Sequence, residues 1–137
     1  MASPTGPPLG SPLIAARIAL LQQAYRLFNS RQIEELLGLM TEDVEWPNVA
    51  EQRVLHGKQT IRRYWLDQFA AINPQVTPTG FVPRDDDVIV VVDQEIRDLA
   101  SQAVLRRGTV YHRYSFTNDL VRRMVVFDDE DSALAPA

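Results

Sequence analysis

Residues 109–127 read TVYHRYSFTNDLVRRMVVF, two strand-like runs joined by the polar turn Thr117-Asn118-Asp119. β-Branched and aromatic residues crowd the first run, as suits a pleated, half-buried surface. Strand side chains alternate between faces. Val110, His112, Tyr114 and Phe116 therefore share one side, and Tyr111, Arg113 and Ser115 the other. The first side is almost wholly apolar, so it is read as the buried one. The alternation thus aims an ionisable imidazole inward. Three readings of His112 stay open on this stretch alone: a hydrogen-bonded core histidine, a catalytic group, or a ligand contact in a pocket.

Upstream the same two-residue period continues. Residues 103–116 form one long strand, with Gly108 expected as a bulge. Residues 87–98, DVIVVVDQEIRD, form another, and their unbroken Val/Ile run implies burial on both faces. Residues 75–82, QVTPTGFV, form an irregular strand in which Pro78 and Gly80 suggest an edge or bulge. Before residue 74 the period is helical. Ile14, Ile18, Leu21, Tyr25 and Phe28 make one stripe, predicting a helix over 13–28. A second helix is expected over 31–40, and a third from near Gly57 to about Ala71. Between them TEDVEW reads as a short strand stopped by Pro47. Three helices followed by an antiparallel meander make an α+β fold. The helices pack on a curved antiparallel sheet, which becomes a cone-shaped barrel with an internal pocket. Residues 1–12 are expected as a disordered lead, 13–128 as the domain, and 129–137 as a flexible acidic tail.

Composition narrows the function. The net charge of −4 disfavours a nucleic-acid binder. The Arg-Arg pairs at 62–63, 106–107 and 122–123 are interleaved with acids, so ion pairs or solvated faces are expected there. No cysteine is present, which removes disulfides and thiolate chemistry. The two histidines, His56 and His112, are isolated and offer no metal-ligand spacing. The N-terminal residues lack the pattern of a secretory signal, and no apolar run is long enough to span a bilayer. A cytoplasmic, soluble protein without metal or cofactor is the expectation.

The segments AYRLFNSRQIEELLGLMTEDVEWPN, LHGKQTIRRYW, VYHRYSF and LVRRMVVF agree in order and spacing with a known family. The chain resembles the nuclear transport factor 2-like superfamily, in its SnoaL-like and ketosteroid-isomerase-like branch, over about 13–128. The resemblance implies the cone fold, a pocket for a small hydrophobic molecule, a homodimer paired through the outer sheet face, and cofactor-independent chemistry. It also implies functional positions. The isomerase tyrosine falls on Ala24, with Tyr25 one step off and expected to point elsewhere. The aspartate base falls on Asn48, and an amide cannot abstract a proton. The oxyanion donor falls on His112. Trp46-Pro47-Asn48 resembles the aromatic-x-Asn step of the epoxide-hydrolase branch, but the matching strand faces offer Asp93, Gln94 and Glu95 with no arginine in the required place, and Val125 where that branch has an acid.

The candidate catalytic residues are thus His112, as acid/base, and Asn48, as a polar positioner. An Asx turn after Pro47 is the competing reading of Asn48. Trp46, Tyr64, Trp65, Phe69, Gln94 and Tyr114 are candidate ligand contacts, and ordinary core packing competes for each aromatic. His56-Gly57 is expected to prepare the third helix. Two functions remain: an isomerase, cyclase or hydratase of a small apolar carbonyl compound, or a non-catalytic binding or dimerisation module of the same fold.

Overall fold

The computed structural model describes residues 11–136. Helix α1 (Pro12–Asn29) starts where Ser11 accepts a hydrogen bond from the Ile14 amide at 3.1 Å, with Pro12 in the first turn. Its buried face carries Ile14, Leu21, Ala24, Tyr25 and Leu27, while Leu13 stays exposed. The expected lead lies mostly outside the described residues, and its last residue, Pro12, is helical. Helix α2 (Ile33–Leu37) is shorter than the sequence suggested, because Gly38 caps it and the chain then enters β1 (Met40–Asn48). That strand continues through Pro47, where the sequence reading stopped it. The ladder to β6 runs only to Glu45, so at Pro47 the chain pairs with β2 alone and the missing N–H breaks no second ladder.

Strand β2 (Arg53–His56), unforeseen in the sequence, forms a hairpin with β1. Gly57 then opens helix α3 (Lys58–Ala71) at φ 87°, a backbone state that glycine adopts freely. Its N–H donates to the Val44 carbonyl at 2.8 Å, tying the helix start to β1. Strands β3 (Ile72–Arg84), β4 (Asp87–Asp98), β5 (Val104–Thr117) and β6 (Leu120–Phe127) follow as a meander. The six-stranded order is β2-β1-β6-β5-β4-β3. All pairs are antiparallel except β1–β6, which is parallel because β6 returns beside the first strand in the same direction. The sheet is curved and unclosed, with α1 and α3 packed against it and α2 packed against both helices, as the α+β reading expected.

The bulge in β3 sits between Pro78 and Gly80, where the proline and glycine suggested it. The one expected at Gly108 does not occur: Gly108 pairs regularly with Gln94. Slips in β5 fall instead opposite Ile96/Arg97 and at Ser115/Phe116. The segment expected as a loose acidic tail carries helix α4 (Glu130–Leu134), capped by Asp129 and lying against β5 and β6. Its Ala133 is fully buried. The paired arginines make ion pairs, including Arg62–Glu34 at 2.7 Å, Arg107–Glu95 and Arg123–Glu45 at 3.2 Å.

Candidate active site

Strand alternation builds the inner wall. On β5, Val110, His112 and Tyr114 are buried, and Val92, Val90 and Val88 of β4 stand opposite them in the register. On the other side Val126 and Met124 of β6 pair with His112 and Tyr114. Helix α1 lies across this surface, and Asn29 anchors it. The Asn29 side chain donates to the Val76 carbonyl at 2.8 Å and accepts from the Val76 amide at 3.0 Å, which completes the backbone pairing of β3. Tyr25 lies one turn before Asn29, on the same helix face.

That placement brings three polar groups together in the core. The Tyr25 hydroxyl is hydrogen-bonded to Nδ1 of His112 at 2.8 Å, donating or accepting according to the imidazole tautomer, and the Tyr114 hydroxyl donates to that of Tyr25 at 2.9 Å. The Tyr25 and His112 rings lie nearly parallel, 11° apart at 6.0 Å, and Tyr114 meets each ring edge-on. Nε2 of His112 has no hydrogen-bond partner among the described residues. Burial disfavours the imidazolium and lowers the His112 pKa to about 4, so the ring is neutral at pH 7. Burial likewise raises the pKa of Tyr25 and of Tyr114, so both phenols stay protonated.

The chain borders a cavity of about 100 Å³ inside the cone. Trp46, Trp65, Tyr64 and Phe28 form the aromatic side, Met40, Val121, Met124 and Val126 the aliphatic side, and Gln68 and Gln94 add two amides. Trp46 and Trp65 meet edge to face at 5.2 Å. No Asp, Glu, Lys or Arg is among the described residues that line it. The site can thus solvate an apolar body, and it can exchange hydrogen bonds or protons with one polar group at the His112 and Tyr114 end.

Six of the eight residues singled out in the sequence line this cavity: Trp46, Tyr64, Trp65, Gln94, His112 and Tyr114. Asn48 and Phe69 are not among the lining residues. Asn48 is buried, but its amide donates to the Glu51 carboxylate at 2.7 Å and its carbonyl accepts from the Glu51 amide at 3.2 Å. This local bonding, reaching three residues on rather than the two of an Asx turn, leaves the side chain occupied. Phe69 packs against Phe28 at 5.1 Å with the Arg31 guanidinium over its ring. Tyr25 is the correction in the other direction. The sequence comparison aimed it elsewhere, and it instead holds His112. Its place in the α1 stripe was the signal that could have found it. Arg113, expected on an open outer face, is covered by α4. Arg53 is exposed beside Glu51. Among the described residues there is no cluster of three metal-ligating side chains, and no helix is long and apolar enough to cross a membrane.

A family model described as a SnoaL-like domain matches residues 21–124. No curated protein matches the chain. Many solved structures do. TerC, co-crystallised with polyporic acid, has a TM-score of 0.72 at 21% identity over 83% of this chain and 92% of that one. An NTF2-like protein of unknown function from Burkholderia pseudomallei has a TM-score of 0.69 at 16% identity over 83% and 91%. SalBIII, an epoxide hydrolase/cyclase-like enzyme with a role in pyran ring formation in the polyether salinomycin, has a TM-score of 0.70 at 16% identity over 81% and 88%. At these identities the likeness is one of fold.

Proposed function

The chain belongs to the SnoaL-like domain family of the nuclear transport factor 2-like superfamily, and from that membership we propose that its cavity takes a small, largely apolar carbonyl compound. His112 is the neutral acid/base, and the reaction is a cofactor-independent isomerisation, cyclisation or hydration. One observation carries this reading: His112 lines the cavity with its Nδ1 hydrogen-bonded to Tyr25 at 2.8 Å and its Nε2 without a protein partner among the described residues. The bond to Tyr25 fixes the orientation of the ring and leaves the second nitrogen to a ligand. With its pKa lowered to about 4, the resting ring is neutral at pH 7 and is available as a base or as an N–H donor. Trp46, Tyr64 and Trp65 supply the apolar wall, and Gln94 and Gln68 are further amide contacts for the ligand. Asn48 has no part in this scheme, because Glu51 occupies it.

The test is His112→Gln, which keeps a polar group and removes the base. Turnover of the ligand is expected to fall by roughly 100-fold or more with the fold intact. Turnover at the wild-type rate would remove His112 from the mechanism. A second reading rests on the uncharged lining, which holds no carboxylate to act as a strong base: the same cavity binds its ligand and returns it unchanged. Recovery of unaltered ligand after long incubation would favour that reading. A cytoplasmic homodimer paired through the outer sheet face, with Tyr111 and Ser115, belongs to the same proposal. Light scattering at twice the chain mass is its expected outcome.

A further inference from the structure

Acid/base work by a lone His112 leaves one fact unused, namely that both ends of its hydrogen-bond chain border the same cavity. His112, Tyr25 and Tyr114 all line it, and Tyr25 sits between the other two, bonded to both. We infer that Tyr114, Tyr25 and His112 act as one neutral proton relay, which takes a proton from one atom of an enolisable carbonyl compound and returns a proton to another. The inference rests on the reading of the cavity given above and names the substrate class within it.

The chain has two proton arrangements with equal numbers of internal hydrogen bonds. In the first, Tyr114 donates to Tyr25, Tyr25 donates to Nδ1, and Nε2 carries the ring proton. The cavity then meets an N–H donor at one end and a phenol oxygen lone pair at the other. In the second, Nδ1–H donates to Tyr25, Tyr25 to Tyr114, and Tyr114 to the cavity, which leaves Nε2 with its lone pair. One reaction step converts the second arrangement into the first. The substrate C–H or O–H proton moves to Nε2, and the electron pair left behind enters the substrate π system. The Nδ1 proton passes to the Tyr25 oxygen, and the Tyr25 proton to the Tyr114 oxygen. The Tyr114 proton passes to the carbonyl oxygen, or to the far carbon of the conjugated system. The substrate has exchanged one proton position for another, no group carries net charge, and no redox partner is needed. Exchange of one proton with water at each end restores the starting arrangement.

Physical chemistry favours this over stepwise work by either group. Burial makes His112 a weak base and both phenols weak acids. No charged residue among the described ones lines the cavity to stabilise an imidazolium or a phenolate. A relay that moves all its protons together never forms either ion. Tyr114 and His112 exchange protons with the substrate; Tyr25, which also borders the cavity, carries protons between them.

The probe is 1-phenylbutane-1,3-dione, added as its enol. Its binding is read from quenching of the Trp46 and Trp65 fluorescence, and its ketonisation from loss of the enol absorbance. The wild type should bind the probe and accelerate ketonisation by roughly 100-fold. The rate should bow downward as D2O replaces H2O, because several protons move in one step. Tyr25→Phe keeps the ring and removes only the link. It should still bind the probe and fall to the buffer rate, and Tyr114→Phe should do the same. Wild-type rates in Tyr25→Phe, or a straight-line dependence on D2O fraction in the wild type, would overturn the relay and leave the His112 reading standing. Wild-type rates in His112→Gln would overturn both. A bound probe that the wild type fails to convert overturns the relay, and a probe that leaves the fluorescence unchanged overturns the reading of the cavity.

Discussion

At the scale of single residues the account turns on His112. Its ring is neutral in the folded protein because burial lowers its pKa to about 4 from an ordinary 6.5. The unfolded chain therefore binds the extra proton first as pH falls. The stability contributed by the neutral ring is complete above about pH 6.5 and is lost as pH drops towards 4. The loss is on the order of 3 kcal/mol across that window. Urea unfolding at pH 7 and pH 4.5 should show this drop in the wild type and a smaller one in His112→Gln. Equal drops in the two would mean that His112 is not buried neutral. Strand alternation in TVYHRYSF made the inward aim of His112 and Tyr114 legible from the sequence. Its bond to Tyr25 was not legible, because the two residues stand 87 positions apart. The helical stripe put Tyr25 inside, but a one-residue count against a relative put Ala24 in its place. Asn48 is absent from the cavity lining, and its side chain is engaged locally. Only the structure shows Glu51, three residues on, taking both ends of its amide.

At the scale of elements, the long periodic segments were legible and the short ones were not. Helices α1 and α3 and the three long strands β3, β4 and β5 carry enough repeats for their period to stand out. Strand β2 has four residues and one buried side chain, too few to show a period. Helix α4 was hidden in an acidic segment because what holds it lies elsewhere in the chain. Arg113, on the outer face of β5, donates to the Ala133 carbonyl at 3.1 Å and to that of Ala135 at 2.5 Å. The same guanidinium pairs with Asp87 at 2.7 Å, with side-chain exposures of 7% and 14%. Replacing Arg113 by Met leaves the half-buried carboxylate and both carbonyls without their donor. The loss should be roughly 3 kcal/mol, read as a lower urea midpoint. A change below about 0.5 kcal/mol would mean that α4 is held by Ala133 packing alone.

At the scale of the whole molecule, helices cross the inner face of an unclosed sheet and leave one uncharged cavity with a polar end. The α+β class followed from the switch of period near residue 74. The unclosed edge and the parallel β1–β6 pair did not follow, since both depend on where distant strands meet. The central claim is that a ligand in this cavity meets Nε2 of His112 while Tyr25 keeps Nδ1. The direct measurement is 15N NMR of the histidine-labelled protein at pH 7 during titration with 1-phenylbutane-1,3-dione, with exposed His56 as internal reference. The account predicts a neutral His112 ring whose Nε2 resonance moves with the probe while those of His56 hold still. A protonated ring, or an Nε2 resonance that stays fixed as the probe saturates its site, would contradict it.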